Sequence, residues 1–383
     1  MRRLSFAFGL IALVACRAPP VGTAPPRALV APPWPHLGGP GADSAAIGPA
    51  PRGDVVWRAS VGARVDASPL VTADGAVVVV SRAGEVVLLD AARGTARRRR
   101  TLTRAGGGAV ALWATPALVG DVLVLAAPGL GLVGLDAVTL AERWRGPRRF
   151  VAMRSAGAAR ADGARAWLCA GDHLVAVDAG TGAVVVDHLV GDRCYGAPGL
   201  VPGGGVVVAS RDGGVTRVDR DGRVRWRAVT SPGADNDSGV TVTSDLVVLG
   251  SNDGHVHAFD LTTGARRWEQ GRPGWVVSTP ASEPGGDTFF VGDDGDGLSA
   301  LAGATGAERW RARTGGDVAS SPLIVGGLVV HGSHDGTLRA WDAATGAARW
   351  QVALGAAAFA SPARTAAGWV VIATHAGEIV AVR

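Results

Sequence analysis

The stretch Gly332–Trp350, GSHDGTLRAWDAATGAARW, is the clearest copy of a unit that recurs along the chain and decides the fold. Its Asp335-Gly336 dipeptide supplies the positive φ that a tight hairpin requires. Apolar and β-branched residues stand on both sides of this dipeptide, at Leu328–His331 and Thr337–Trp341. The sequence therefore predicts two antiparallel strands joined by a short turn.

A second turn follows at Asp342. The carboxylate of Asp342 can accept backbone N–H bonds from the next residues, and Gly346 relieves the strain at the last position of the turn. We expect the following residues, Ala347–Val352, to form an outer strand that carries Trp350. Each unit thus brings its strands together by short antiparallel connections.

The unit recurs along most of the chain. It reads GSNDGHVHAFDLTTGARRW at Gly250–Trp268 and GDDGDGLSALAGATGAERW at Gly292–Trp310, and a more divergent copy ends at Trp226. A dipeptide, usually Ser-Pro or Thr-Pro, opens every unit. The second residue of this dipeptide is Pro69, Pro116, Ala156, Pro198, Gly239, Pro280, Pro322 or Pro362. Successive spacings of 40 to 47 residues are typical of four-stranded propeller blades, which predicts eight blades.

Two positions of the unit are structural markers. The outer-strand marker is Trp57, Trp144, Trp226, Trp268, Trp310 or Trp350, and the turn marker is Asp90, Asp136, Asp178, Asp219, Asp260 or Asp342. Arg98 and Val186 fill the outer-strand position in the two blades that lack the Trp.

The order of these markers predicts how the ring closes. Trp57 precedes the first opening dipeptide, so Val55–Arg58 should be the outer strand of the eighth blade. Gly377–Arg383 should be its third strand, with Arg383 in the place of the turn Asp. Closure of this kind removes an exposed sheet edge. We therefore predict an all-β, eight-bladed propeller of four-stranded antiparallel blades, closed by an N-terminal strand in the last blade.

The pattern Asp-x-x-Thr-Gly-x-x-x-Trp after a Gly-x-x-Asp-Gly hairpin resembles the pyrroloquinoline-quinone propeller repeat. Eight-bladed quinoprotein alcohol dehydrogenases and the BamB family of outer-membrane assembly lipoproteins share this repeat. The resemblance covers residues 55–383 and implies the architecture. It does not select a function, because the repeat serves both enzymes and scaffolds.

The first 16 residues are predicted to be a lipoprotein signal peptide. Arg2 and Arg3 precede an apolar run, Leu4–Ala15, that is too short to span a bilayer, and Leu13–Cys16 resembles a bacterial lipobox. Cys16 would be the acylated residue, although a plain secretory signal remains an alternative. Because Arg and not Asp follows Cys16, the resemblance to enterobacterial lipoproteins favours the outer membrane, with the propeller in the periplasm.

Residues 17–52 contain ten prolines among Ala and Gly, which predicts a disordered tether; the propeller should occupy residues 53–383. The net charge of +5 falls to +3 when Arg2 and Arg3 leave with the signal peptide. This weak charge predicts no nucleic-acid partner. Two arginine clusters should lie on outer strands and loops, either solvated or facing an anionic lipid or acidic partner. They are Arg97–Arg100 with Arg104, and Arg143, Arg145, Arg148 and Arg149.

The resemblance also allows a test for quinoprotein catalysis. It implies an adjacent Cys-Cys pair and a Trp around the quinone, and a calcium ion bound by Glu, Asn and Asp. The chain has no Cys-Cys dipeptide and no room for long insertions between blades, so we predict no enzymatic activity and no cofactor. Gly292–Gly297 resembles part of a calcium loop, but the hairpin repeat accounts for it. Cys169 and Cys194 could form a disulfide or remain as buried thiols.

The residues three to five positions before each opening dipeptide should ring one end of the central channel. They are Asp66, Trp113, Met153, Arg193, Tyr195, Asn236, Trp275, Asp317 and Phe359. Aromatic side chains beside charges are typical of a binding surface, but they could equally plug the channel by packing.

We therefore expect a non-catalytic, lipid-anchored, monomeric propeller that binds protein partners in the cell envelope. The resemblance implies that these include the barrel-assembly machinery of the outer membrane, with membrane attachment through the N-terminal lipid. The alternatives are a surface lipoprotein that binds a small molecule or polysaccharide, and a degenerate quinone-dependent dehydrogenase.

Overall fold

The structure is a computed structural model that describes residues 45–46, 49–104, 106–150, 160–295 and 297–383. Cys16, most of the predicted tether and Met153 lie outside these residues. Strands and turns account for the regular structure of the described part, and no helix in it could cross a membrane.

The strands form eight sheets, seven with four strands and one with five, and each contains four strands in the order of a propeller blade. The inner strands are Leu70–Val71, Ala117–Val119, Arg160–Asp162, Gly199–Leu200, Val240–Val242, Ala281–Ser282, Leu323–Val325 and Ala363–Arg364. The second strands are Ala76–Val80, Val122–Ala127, Arg165–Ala170, Val206–Ala209, Leu246–Gly250, Thr288–Asp293, Leu328–Gly332 and Val370–Ala373. The third strands are Glu85–Asp90, Gly131–Asp136, His173–Asp178, Gly214–Val218, His255–Asp260, Gly297–Ala302, Thr337–Asp342 and Glu378–Val382. The outer strands are Ala96–Thr101, Glu142–Arg145, Val184–Leu189, Val224–Val229, Arg266–Gly271, Glu308–Arg313, Ala348–Ala353 and Val55–Ser60.

The predicted closure of the ring is confirmed. Val55–Ser60 pairs antiparallel with Glu378–Val382 and completes the eighth blade. The N–H groups of Gly53 and Asp54 donate to the Arg383 carbonyl at 2.9 and 3.0 Å, so the two ends of the described chain together form a turn. The all-β, eight-bladed propeller inferred from the repeat is the observed fold.

Two described segments before residue 53 contact the propeller. Ala45–Ala46 pairs in parallel with Leu323–Val325 and adds a fifth strand to the seventh blade. Pro51 is buried, and its carbonyl accepts a hydrogen bond from Trp350 Nε1 at 2.8 Å. Proline keeps a carbonyl acceptor although it lacks an N–H, so a Pro-rich segment can still bond to the propeller. These contacts lie within residues 17–52, the segment for which the sequence predicts a tether.

The core lies between neighbouring sheets, because the second and third strands are buried on both faces. All five residues of Ala76–Val80 are buried, for example, and its valines divide between two core clusters. Val78 packs towards the second blade with Leu123, while Val77 packs towards the eighth with Val371. Alternation of side chains along one strand therefore serves two interfaces.

The marker tryptophans join neighbouring blades at the end that carries the Asp turns, which we call the turn face. Each indole Nε1 donates to a carbonyl in the turn of the next blade, at 2.7 to 3.0 Å. The acceptor carbonyls are those of Ala91 for Trp57, Ala179 for Trp144, Leu261 for Trp226, Gly303 for Trp268, Ala343 for Trp310 and Pro51 for Trp350. The Trp of each repeat thus makes its hydrogen bond with the turn of the next blade and not within its own.

A glycine in the turn of the next blade makes room for the indole. At Gly306, which has a φ of +73°, an added Cβ would lie 2.5 Å from the ring of Trp268. Where Arg98 replaces the Trp, the next turn has Leu140 in place of the glycine, at a φ of 60°. Leu140 is buried in the core between the first and second blades. The loss of the Trp and the loss of the glycine therefore occur at one contact.

Candidate functional site: the channel mouth

The opposite end of the propeller, which we call the mouth, combines two segments from each blade. These are the linker that enters the inner strand and the hairpin between the second and third strands. In six blades a hairpin N–H donates to a linker carbonyl at 2.8 to 3.0 Å. The donor and acceptor pairs are Arg82 and Arg64, Arg211 and Arg193, Asn252 and Asp235, Asp294 and Trp275, His334 and Asp317, and His375 and Ala357. One repeated bond thus brings different side chains together.

Asp66 is the centre of a basic and aromatic group in the mouth. Its side chain is fully buried, and its carboxylate lies 2.9 Å from Arg64 Nε, 3.0 Å from His375 Nε2 and in an ion pair with Arg82. Burial alone would raise the pKa of Asp66, but hydrogen bonds from His375 and Arg82, with the charge of Arg64, hold it below its ordinary value. The Arg82 guanidinium lies over the Trp113 ring, 3.3 Å from its centroid.

Phe359 continues this group towards the seventh blade. Its ring lies between His334 and His375, with centroid distances of 3.7 and 3.9 Å. Only 3% of Phe359 is exposed, so it packs the mouth and does not present a free aromatic surface. Burial lowers the pKa of His334 to about 4, helped by the positive charges of His375 and Arg64. The imidazole of His334 is therefore neutral at pH 7.

The sixth and seventh blades make the mouth acidic. Asp294 lies in the hairpin of the sixth blade, near Asp293 and Asp317. Burial, together with the charges of Asp317 and Asp293, raises the pKa of Asp294 to about 7. Asp317 is partly exposed and lies 3.3 Å from His334 Nδ1. The mouth is thus basic on one side of Phe359 and acidic on the other.

Tyr195 marks a third group, at the fourth and fifth blades. Arg211 lies 5.0 Å from the centroid of the Tyr195 ring and forms an ion pair with Asp235. Asn252 Nδ2 donates to Asp237 Oδ2 at 2.7 Å. Tyr195 is only 9% exposed, so its ring, like that of Phe359, is packed inside the mouth and is not a free binding surface.

Asn236 does not belong to the mouth surface. It is fully buried, its Oδ1 accepts from Thr230 Oγ1 at 3.0 Å, and its Nδ2 donates to the Gly214 carbonyl at 3.3 Å. Its neighbour Asp237 corresponds to Asp66, because each lies two residues after the linker residue, Asp235 or Arg64, whose carbonyl accepts the hairpin N–H. The predicted site residue is therefore displaced by one position.

The mouth aromatics were predicted either to form a binding surface or to pack the channel, and the structure divides them between these two interpretations. Phe359 and Tyr195 pack, whereas Trp113 and Trp275 are partly exposed. The hairpin side chains were not predicted from the sequence, although one signal marks them: each follows a Ser, Thr or Asp that lies at or directly after the end of the second strand. They are Arg82, Arg211, Asn252, Asp294, His334 and His375.

Cys169 and Cys194, left open as a disulfide or two thiols, form a disulfide with a Cα–Cα distance of 5.6 Å. Cys169 is in the second strand of the third blade, and Cys194 is in the linker that enters the fourth blade at the mouth. Both residues are buried. The disulfide therefore joins two neighbouring blades.

The calcium-like segment of the sixth blade is used differently from a metal loop. Asp293 is buried and its carboxylate accepts from Arg311 Nη1 and Nη2 at 2.6 and 3.0 Å. Asp296 lies outside the described residues. Among the residues that the structure describes, no three His, Cys, Asp or Glu side chains are grouped so as to hold a metal ion.

The arginine clusters of the first two blades lie on the outer strands and in the segment that follows Arg145. Arg97 contacts Asp74 and Asp90, and Arg143 contacts Asp121 and Asp136. These ion pairs neutralise Arg97 and Arg143.

Comparisons with known proteins agree with this architecture. The family model described as outer membrane protein assembly factor BamB matches residues 45–193, 151–274 and 271–383. The chain belongs to the BamB family. BamB of Bordetella pertussis (strain Tohama I / ATCC BAA-589 / NCTC 13251) is 31% identical over 121 residues, a match that spans 32% of this chain and 31% of that protein.

Solved structures share the fold of this BamB family member. BamB of Moraxella catarrhalis superposes with a TM-score of 0.71 at 18% identity, over 86% of this chain and 99% of that one. The computationally designed Ika8 protein gives 0.72 at 17% identity, with the same coverage. A europium-containing methanol dehydrogenase gives 0.66 at 16% identity, over 84% of both chains. At these identities the likeness concerns the fold alone.

Proposed function

We propose that this BamB family member is a non-catalytic scaffold that binds protein partners through its mouth during assembly of outer-membrane proteins. The family match over residues 45–383 supports the assembly role. The observation that carries the proposal is the variation of side chains at equivalent positions of the mouth. A repeated backbone frame with non-repeated side chains is suited to recognition of one particular surface.

The charge distribution of the mouth indicates the chemistry of the partner surface. Arg64 in the first blade and Arg193 in the fourth remain 36% and 41% exposed, and Asp317 in the seventh blade remains 41% exposed. A complementary partner would place acidic residues opposite the arginines and basic residues opposite Asp317. Such complementarity directs association and excludes wrongly charged partners.

We further propose that the chain is exported and anchored by a lipid on Cys16 in the outer membrane, with the propeller in the periplasm. The lipobox-like sequence supports this attachment. Metabolic labelling with a radioactive fatty acid tests it. Label should enter the wild-type protein and should be absent from Cys16→Ser; equal labelling of both would contradict the proposal.

A pull-down of the full-length protein from its own envelope in mild detergent tests the scaffold. We expect mass spectrometry to identify proteins of the outer-membrane assembly machinery. The double variant Trp275→Ala/Asp317→Ala, at partly exposed mouth positions, should reduce this recovery at least tenfold. Val229→Ala, on an outer strand and 48% exposed, is the matched control and should recover the partner normally.

Two results would contradict the scaffold function. One is recovery of the propeller without an assembly protein, and the other is a bound quinone chromophore in the absorbance spectrum. The first would direct attention to small-molecule or polysaccharide ligands, and the second to dehydrogenase chemistry. Circular dichroism of each variant shows that the comparison is made between folded proteins.

A further inference from the structure

The turn face has a cavity of about 520 Å³ between the fourth and fifth blades. Its wall is formed by the first hairpin, the Asp turn and the two strands that flank this turn in the fourth blade, with one residue from the fifth. The lining residues of this cavity, which we call the arginine cavity, include Gly203, Gly204, Arg217, Arg220, Arg225 and Thr262. It lies at the opposite end of the propeller from the mouth.

Local departures from the repeat open this cavity. The turn of the fourth blade is one residue shorter than the others, since its Asp219 is followed by glycine at 222, whereas Asp342 is followed by Gly346. The adjacent hairpin carries three consecutive glycines instead of side chains. Gly203 has a φ of +87°, and nothing lies within 4 Å of the position that its Cβ would occupy. The backbone is therefore accessible at the edge of the cavity.

The arginines of the cavity are held differently from one another. Arg217 Nη1 donates to the Leu261 carbonyl at 2.6 Å, which fixes the side chain without neutralising its charge. Arg220 is 52% exposed, and its nearest carboxylate, Asp162, is 3.6 Å away. Arg225 pairs with Asp219 at 2.8 Å.

The carboxylates of the cavity compensate only part of this charge. Asp219 Oδ1 accepts the N–H groups of Asp221 and Arg223, both at 2.9 Å, and is thus occupied by its own turn. The lining residues comprise three arginines, Arg217, Arg220 and Arg225, against two aspartates, Asp219 and Asp221. The lining residues therefore carry a net charge of +1, and Asp162, which lies outside the lining, pairs with Arg220.

We propose that the arginine cavity binds a phosphate-bearing anion. Guanidinium groups match phosphate oxygens with paired N–H donors, and a glycine-rich edge lets the anion approach the backbone. The ligand is a phosphate ester of either of two sources, a free solute or the headgroup of an anionic lipid. This inference concerns a second surface and does not depend on partner binding at the mouth.

A second cavity on the turn face provides an internal control. It has a volume of about 500 Å³, lies between the eighth and first blades, and is lined by Asp74, Asp90, Arg93, Arg97 and Trp369 among others. Arg97 is bound to both aspartates, at 3.1 Å from Asp74 and 2.8 Å from Asp90. Its charged lining is balanced, with two arginines and two aspartates. Size and position alone therefore do not distinguish the two cavities, whereas charge does.

Calorimetric titration of the full chain in a non-ionic detergent tests the proposal. The probes are pyrophosphate and the water-soluble lipid dihexanoyl phosphatidylglycerol. We expect saturable binding of one or both probes that weakens with added salt. Arg217→Gln/Arg220→Gln should weaken it at least tenfold, and Arg93→Gln, in the control cavity, should leave it unchanged.

The single variant Arg220→Gln provides a second test that does not risk misfolding, because the Arg220 side chain is 52% exposed and the fold does not depend on it. We expect this single change to weaken binding roughly threefold. Stronger binding of pyrophosphate would identify a solute and stronger binding of the lipid a headgroup, and both support the site. Absence of saturable binding of either probe, or equal affinity of wild type and the folded double variant, would overturn it.

Discussion

The two ends of the propeller use the same eight blades in opposite ways. At the turn face, Trp268 and its counterparts donate to the next blade through one repeated bond over one repeated glycine. At the mouth, equivalent positions hold Asp66, Trp113, Tyr195, Asp237 and Phe359. The comparison shows that a repeat conserves its structure where blades are joined and varies where side chains are presented.

The third and fourth blades depart from this division. Val186 lies over Gly222 where six other blades have a Trp over the turn glycine. The same two blades are joined at the mouth by the Cys169–Cys194 disulfide. The weaker contact at one end thus coincides with a covalent contact at the other.

The largest effect on stability should come from a Trp→Ala substitution at the turn face, compared with the same substitution at the mouth. Trp268→Ala removes a buried indole and its bond to Gly303, so it should lower the free energy of unfolding by about 3–5 kcal/mol. Trp275→Ala, at the partly exposed mouth position, should lower it by about 1 kcal/mol or less. Urea denaturation followed by fluorescence measures both. Equal losses would remove the distinction between a structural end and a recognition end.

Removal of the disulfide tests whether the mouth of the third and fourth blades is held covalently. Cys169→Ala/Cys194→Ala should lower the free energy of unfolding by about 3 kcal/mol, because the bridge closes a loop across 25 positions and so restricts the unfolded chain. Reduction of the wild-type protein serves as the control and should produce a similar loss. A loss below about 1 kcal/mol would mean that noncovalent contacts suffice there.

Asp294→Asn should stabilise the folded protein at neutral and higher pH, because the ionised Asp294 carboxylate is unfavourable in the mouth. Burial raises the pKa of Asp294 to about 7 from its ordinary 3.8, so the folded state binds more protons between these values. Stability from this group is therefore lost as the pH rises from about 4 to 7. The variant should exceed wild type by roughly 1–3 kcal/mol at pH 8 and match it near pH 4. A difference that is the same at both pH values would contradict this cause.

The smallest effect should come from a turn aspartate. Asp178 Oδ1 accepts from the N–H and the hydroxyl of Thr181, at 2.9 and 2.8 Å, which lowers the pKa of Asp178. Asp178→Ala should lower the free energy of unfolding by roughly 1 kcal/mol, since the other turn contacts remain. Asp178→Asn keeps an acceptor and should lose less. A greater loss in the Asn variant would show that the carboxylate does not stabilise the turn through these bonds.

The fold could be predicted from the sequence because its determinants are local. Asp335-Gly336 predicted a hairpin, and the flanking strands end within one residue of the expected positions. Closure of the ring followed from the order of Trp57 and the first opening dipeptide. These features need only a period and two kinds of turn.

The mouth could be predicted only in outline, because its side chains are placed by contacts between blades. The linkers were recognisable, yet the burial of Phe359 depends on His334 of the preceding blade and His375 of its own. Asn236 was chosen in place of Asp237 because spacing does not reveal which neighbour points inward. The hairpin residues were missed since their sequence context is that of ordinary turns.

The break in the ring of blades falls within a turn, where Gly53 and Asp54 bond to the Arg383 carbonyl. The closed ring therefore does not dictate which blade comes first along the chain. A circular permutant that joins Arg383 to Gly53 and opens the exposed turn at Thr262 would retain the four strands of every blade, without the additional strand Ala45–Ala46. Its outer strand in the fifth blade would then be supplied by the opposite end of the chain. The propeller is in this sense a closed ring that a linear chain enters at one of several equivalent points.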